Sequence, residues 1–241
     1  MSDDKKTSGK TPGKQSAKKS KKKRTLRDAK QRVKTAKGRT TSSTKWLERQ
    51  LNDPYIAKAA HDGYRSRAAY KIIEINEKAN ILKPDQVIID LGAAPGGWCQ
   101  VAAQMGCTVI GLDLLEIDPM PGVTFFEMDF MDDDAPYVLI DALGGEKADV
   151  VLSDMAPNTT GHKQTDHLKI MALVEAAYYF ACDVLNDDGV FVAKVRQGGA
   201  QHELLAQMKR DFKTIKHIKP PSSRKESSET YVVAQGFRKN S

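Results

Sequence analysis

The chain has 241 residues, 40% of them apolar, and carries 38 Lys and Arg against 31 Asp and Glu, a net charge of +7. That length suits one domain with a substantial core plus an extension. No apolar run approaches the ~20 residues of a membrane span, and three cysteines without C-x-x-C spacing exclude a disulfide framework.

The chain divides sharply by charge. Residues 1–40 hold 16 Lys and Arg against 3 Asp, leaving 22 basic and 28 acidic residues for the remainder. Rich in Lys, Ser, Thr and Gly and almost without large apolar side chains, residues 1–43 cannot bury enough surface to offset chain entropy; they are expected to form a disordered basic tail. The run Lys18–Arg24 would displace counterions from nucleic-acid phosphates without reading sequence. No apolar core follows these charges, as a signal peptide would need, and Asp3 and Asp4 argue against a transit peptide. Cys99, Cys107 and Cys182 are expected as free thiols of a reducing cytoplasm. The five histidines offer no metal set, since His162 and His167, five apart, do not share a helical face.

Residues 44–241 read as a single domain of alternating elements. Ala69, Ile72 and Ile73 predict a helix over Arg65 to Asn80. Val87 to Leu91 predicts a buried strand running into the turn Gly92-Ala-Ala-Pro-Gly-Gly97, with a helix over Cys99 to Met105 behind it. A glycine-rich turn between strand and helix cradles a nucleotide-like ligand. Its G-x-x-x-G-G spacing with Pro95 inside departs from the G-x-G-x-x-G that seats a pyrophosphate, so it favours a ligand without phosphates, such as S-adenosyl-L-methionine. Strands at Val109 to Asp113 and Thr124 to Met128 each end at an acid: Asp113 is the candidate for the ribose hydroxyls and Asp129 for the adenine amino group.

A strand at Asp149 to Ser153 delivers Asp154 to the same sheet edge. A long helix over Thr165 to Leu185 follows, then a turn at Asn186 to Gly189. The strand Val190 to Val195 carries Lys194 among apolar neighbours, where its charge needs a carboxylate partner. A last strand spans Tyr231 to Ala234. Alternating strands and helices imply an α/β, mostly parallel sheet covered on both faces, with ligands at the carboxyl ends of its strands.

Five motifs stand in order: Ser66-Arg-Ala-Ala-Tyr-Lys71, Asp90-Leu-Gly-Ala-Ala-Pro-Gly-Gly-Trp98, Ser153-Asp-Met-Ala-Pro-Asn158, Lys194-Val-Arg-Gln-Gly198 and Ser222-Ser-Arg-Lys-Glu-Ser-Ser-Glu-Thr-Tyr231. From about Ser43 onward the chain resembles the FtsJ/RrmJ family of ribosomal RNA ribose 2′-O-methyltransferases. The resemblance implies a Rossmann-like S-adenosylmethionine-dependent methyltransferase fold with a seven-stranded sheet. It implies a catalytic set at Lys71, Asp154, Lys194 and Glu229, and cofactor contacts at Gly96, Trp98, Asp113 and Asp129, with Asp154 near the methionine end. Related tRNA-modifying members carry C-A-A-P-G-S-W, whereas this chain has Gly92 and Gly97 at those places, which leans toward large-subunit rRNA. The implied acceptor is a uridine ribose in the A loop of 23S rRNA, methylated on the large ribosomal subunit without a metal.

The donor methyl is already activated, so the chemistry reduces to alignment and removal of the 2′-hydroxyl proton. Lys194 is the candidate base or alkoxide stabiliser, Asp154 its orienting group, Lys71 a holder of the acceptor and Glu229 a network member; sequence leaves the protonation state of Lys194 open. Arg65, Arg67, Lys71, Arg196, Lys219, Arg224 and Lys225 are expected to supply an RNA-facing basic surface. The protein is expected to be a cytoplasmic monomer that touches no membrane. Two other readings stand beside this one: ribose methylation of tRNA, and a noncatalytic RNA-binding assembly factor on the same fold.

Overall fold

The computed structural model describes residues 40–157, 161–196 and 202–238. Residues 1–39 of the expected tail, and Asn158, Gln197 and Gly198 of the motifs, lie outside the described residues. The chain forms two compact units that part between Asn52 and Asp53. In the first, Thr40 caps helix α1 (Thr41–Leu51) by accepting from the Ser43 amide at 3.2 Å.

The second unit opens with α2 (Pro54–Asp62). Asp53 accepts from the Tyr55 amide at 3.1 Å, Pro54 takes the first-turn position where its missing N–H is harmless, and left-handed Gly63 ends the helix. The helix expected from Arg65 begins only at α3 (Ala69–Ala79), because residues 65–68 wind as tight turns, with Ser66 and Arg67 carbonyls accepting three residues on. Then follow β1 (Val87–Leu91), α4 (Gly97–Gln104), β2 (Thr108–Asp113), β3 (Val123–Glu127), α5 (Ala135–Ala142), β4 (Ala148–Ser153), α6 (Lys163–Val184), β5 (Leu185–Arg196), α7 (His202–Asp211), β6 (Phe212–Ile218) and β7 (Glu229–Phe237).

The seven strands form one sheet in the order β3-β2-β1-β4-β5-β7-β6. Strands β1 to β5 pair in parallel, and β7 runs antiparallel between β5 and β6. Alternate strand residues feed two cores. Ile89, Leu91 and Val151 pack with α5, α6 and α7 on one face; Ile88, Val150 and Leu152 pack with α3 and α4 on the other. The expected turn at Asn186 to Gly189 is an irregularity inside β5 instead. Leu185 pairs with Ala148, the next ladder partner of Val150 is Val190, and left-handed Asp188 lies in the extra length between.

Chain order reverses between β1 and β4, so the connections leaving these paired strands run to opposite sides of the sheet, the point at which open α/β sheets bind ligands. Gly92 leaves β1 at φ +80, and a Cβ there would lie 2.8 Å from the Met155 amide nitrogen. Only glycine allows the two strand exits to approach this closely.

Candidate active site

Four elements bring Lys71, Asp154, Lys194 and Glu229 together. Lys71 comes from the first turn of α3, Asp154 from the exit of β4, Lys194 from the end of β5 and Glu229 from the start of β7. Lys194 Nζ lies 3.0 Å from Asp154 Oδ1, and Lys71 Nζ lies 3.5 Å from Asp154 Oδ2 and 3.0 Å from Glu229 Oε1. Lys194 also donates to the Asp154 carbonyl. The four side chains are 13–20% exposed, so their charges are partly desolvated yet open to a ligand.

Two lysines face two carboxylates here. Burial alone would raise the Asp154 carboxyl, but Lys194, Lys71 and a hydroxyl from Tyr231 outweigh it and hold the group below its ordinary range. Tyr231 is the member that sequence reading passed over. It stands opposite Lys194 in the β5–β7 ladder, so both side chains rise from the same sheet face. Its hydroxyl donates to Asp154 Oδ1 at 2.7 Å and accepts from Lys71 Nζ at 3.0 Å. Fully buried and flanked by Asp154 and Glu229, the phenol is pushed well above its ordinary pKa and stays neutral. A strand tyrosine among valines reads as core; the signal lay in its place two residues after Glu229.

The loop between β6 and β7 is fastened to α3. Glu74, one turn beyond Lys71, accepts through Oε2 from both the amide (2.7 Å) and the hydroxyl (2.6 Å) of Ser222. Ser223 then donates to Glu229 Oε1 at 2.9 Å, the same oxygen that faces Lys71. Arg67 donates to the Ser222 carbonyl and to Asp53, which also takes Arg224 at 3.2 Å. Asp53, Glu74 and Ser222 were not singled out from sequence, because their partners lie far along the chain, nor was Ser223, whose partner Glu229 is six residues on.

Beside the cluster, a cavity of about 470 Å³ opens at the switch point. Gly92, Leu112, Asp113, Asp129, Met131 and Met155 are among its walls. Asp154 and Met155 are adjacent in the chain, so cluster and cavity share one strand exit. Asp113 accepts from the Ala94 amide at 2.9 Å and the Leu115 amide at 3.0 Å; Asp129 accepts from the Met131 amide at 2.9 Å. These bonds orient both carboxylates and leave further lone pairs for ribose hydroxyls or an exocyclic amine. Two carboxylates facing a largely apolar wall, with Lys169 the only cation among its described residues, would repel a pyrophosphate. These acceptors fit a nucleoside with a cationic tail.

Gly96 and Trp98 are not in that wall. Gly96 sits at the left-handed N-cap of α4, closed over by Arg65 and Met120. Trp98 is 3% exposed, donates to the Ala68 carbonyl at 2.9 Å and packs 5.5 Å from the Tyr231 ring. At Gly97 a Cβ would meet Ser66 Oγ at 2.5 Å, a packing reason for glycine. The expected RNA-facing cations are partly spent inside the fold. Arg65 holds the Asp118 and Pro119 carbonyls, Arg67 and Arg224 hold Asp53, and Lys219 holds the carbonyls of Lys225 and Ser227.

A doubly wound sheet with a carboxylate-rimmed cavity and a Lys-Asp-Lys-Glu cluster at its switch point defines an enzyme of the Rossmann-like methyltransferase class. The family model for FtsJ-like methyltransferase matches residues 64–237, and the chain belongs to that family. It is 58% identical over 211 residues to the ribosomal RNA large subunit methyltransferase E of Rhizorhabdus wittichii, covering 87% of this chain and 92% of that one. The protein of the same name from Zymomonas mobilis is 60% identical over 210 residues, covering 86% and 95%. Among solved structures, a ribosomal RNA methyltransferase from Plasmodium falciparum superposes with a TM-score of 0.65 at 33% identity, over 72% of this chain and 98% of the other.

Proposed function

We propose that this protein methylates the ribose 2′-oxygen of a uridine in the A loop of 23S rRNA, on the large ribosomal subunit, with S-adenosyl-L-methionine as donor. The observation that carries this reading is the convergence of Lys71, Asp154, Lys194 and Glu229 beside a carboxylate-rimmed cavity. The relatives named for the large-subunit RNA, nearly 60% identical, support the substrate.

When bound, S-adenosyl-L-methionine supplies a methyl group activated by its sulfonium. Asp113 holds the ribose hydroxyls and Asp129 the adenine amino group, with Asp154 toward the methionine end. Gly96 and Trp98 serve from behind the wall, fixing the turn that carries Gly92. Asp154 aims Lys194 at the acceptor oxygen. As a neutral amine Lys194 takes the 2′-hydroxyl proton; as an ammonium it steadies the developing alkoxide. Lys71 holds the acceptor nucleotide, and Glu229 with Tyr231 fixes Lys71. A kcat that falls on the acid side of a pH profile marks the amine role, and a flat profile marks the electrostatic one.

In this reading residues 44–241 form the catalytic domain and the basic tail, residues 1–43, contacts RNA phosphates. The protein acts in the cytoplasm as a monomer. Among the described residues no helix is long and apolar enough to cross a membrane. Incubation with tritiated methyl donor and, in parallel, large subunits, free rRNA and tRNA, followed by mass mapping, tests the proposal. One labelled uridine in the A loop, strongest on subunits, is expected. Label on tRNA alone, or none on rRNA, contradicts it.

A further inference from the structure

The folded unit is electrically polarised across its sheet. Residues 107–153, which build β2, β3, α5 and β4, hold eleven Asp and Glu and a single cation, Lys147. Residues 202–238, which build α7, β6 and β7, hold eight Lys and Arg against four Asp and Glu. The strand order puts β3 and β6 at opposite edges, so one edge of the molecule is anionic and the other cationic, with the Lys-Asp-Lys-Glu cluster between them.

The cationic edge leads toward the cluster. Lys209 and Arg210 are exposed on the last turn of α7, Lys216 is exposed on β6, and Lys213 on the same strand is exposed at the surface in an ion pair with Asp188. Lys219 and Lys225, also exposed, continue the row into the loop that carries Glu229. At about 3.4 Å per residue, the strand runs roughly 20 Å from Lys213 to Lys219. Lys216 stands opposite Val233, two residues from Tyr231, and so shares the sheet face from which Lys194 rises. Lysines on an edge strand commonly guard against edge-to-edge pairing. Here they have a further consequence, since the opposite edge repels the same polyanion.

Resting on the RNA reading above, we propose that the acceptor RNA lays its phosphate backbone along the α7–β6 edge and reaches the cluster from that side, while the anionic β2–β3–α5 side keeps it off the donor cavity. The edge reads charge rather than base sequence; placement of the target ribose falls to the cluster and its loop.

The test is a Lys209→Gln/Lys213→Gln/Lys216→Gln variant of the full chain, assayed for methyl transfer into large subunits across a salt series. KM for subunits is expected to rise about tenfold at physiological salt, with kcat unchanged at saturation. The slope of log KM against log salt should fall by roughly 2, from about 0.7–0.9 per lost phosphate contact. The matching Lys→Arg triple should behave as the parent. An Asp132→Asn/Asp133→Asn/Asp134→Asn variant, which removes as many charges of the opposite sign on the other edge, should leave the salt slope unaltered. If the Gln triple self-associates, the three single substitutions decide, each expected to take a share of the KM rise. Parental KM and slope in the triple, or in all three singles, would overturn the docking edge. Failure of the unsubstituted protein to label subunits would instead count against the ribosomal reading.

Discussion

Asp154 lies between Lys71 and Lys194, and that position explains why neither lysine can be replaced cheaply. Lys194→Ala is expected to lower methyl transfer by about 10²–10⁴-fold, the range for a positioned acid–base or electrostatic group, while donor binding measured by calorimetry stays near the parental value. Undiminished transfer would remove Lys194 from its assigned role. Asp90 makes a different prediction. Fully buried, it accepts from Cys99 Sγ at 3.1 Å through one oxygen, while the other has no partner among the described residues. Burial, with repulsion from Asp154 and Asp113, pushes its carboxyl up to about 7. Between the ordinary carboxylate value and about 7 the native state holds a proton that the unfolded chain releases, so this group's contribution to stability declines as pH rises through that window. Asp90→Asn should therefore gain on the parent between pH 4 and pH 7 by up to about 4 kcal/mol in denaturant melts, and a pH-independent difference would refute this. Lys194 and Asp154 were legible from sequence because a strand lysine among valines demands a carboxylate. Tyr231 and Glu74 were not, since a buried tyrosine and a helix-surface glutamate have bland local readings and acquire roles only through partners more than seventy residues away.

Elements that alternate cleanly were legible; those at the margins were not. Strands β1, β2 and β4 announced themselves as apolar runs closing on acids and β5 as an apolar run carrying Lys194, since a parallel sheet buries both faces of its strands. Strand β6 was missed because Phe212, Ile215 and Ile218 recur every third residue, a spacing that mimics a helix. It arises because Phe212 and Ile215 join one core and Ile218 the other. The loop between β6 and β7 carries a motif whose physical meaning is anchorage. Glu74→Ala removes two charge-assisted bonds to Ser222 and should lower kcat at least several-fold, with donor affinity unchanged and a loss of about 2–3 kcal/mol in stability. A parental kcat in that variant would mean that Glu229 is held without the loop. At the turn after β1, Gly92→Ala should abolish donor binding in calorimetry, because its Cβ would collide with the Met155 backbone and φ +80 strains any other residue. Retained binding would show that the two strand exits can separate.

At the scale of the molecule, the chain's basicity and its fold part company. Outside residues 1–40 the chain carries more acids than bases, and several cations of the folded unit are spent on Asp53, Asp154, Asp188 and Glu229. Deleting residues 1–40 should raise KM for large subunits about tenfold or more at physiological salt and flatten its salt dependence, with kcat retained; an unchanged KM would deny the tail a part in RNA binding. The charge break near residue 40 was legible from composition, whereas the polarity across the sheet was not, because it depends on β3 and β6 lying at opposite edges. The central claim is that the Lys71-Asp154-Lys194-Glu229 cluster delivers a methyl group to a ribose oxygen. Alkaline hydrolysis of rRNA labelled by this protein tests it most directly, because a 2′-O-methyl group blocks cleavage at its own nucleotide. The label should appear in a single alkali-resistant dinucleotide that is missing when Lys194→Ala replaces the parent. Label released in mononucleotides would place the methyl group on a base and contradict the claim.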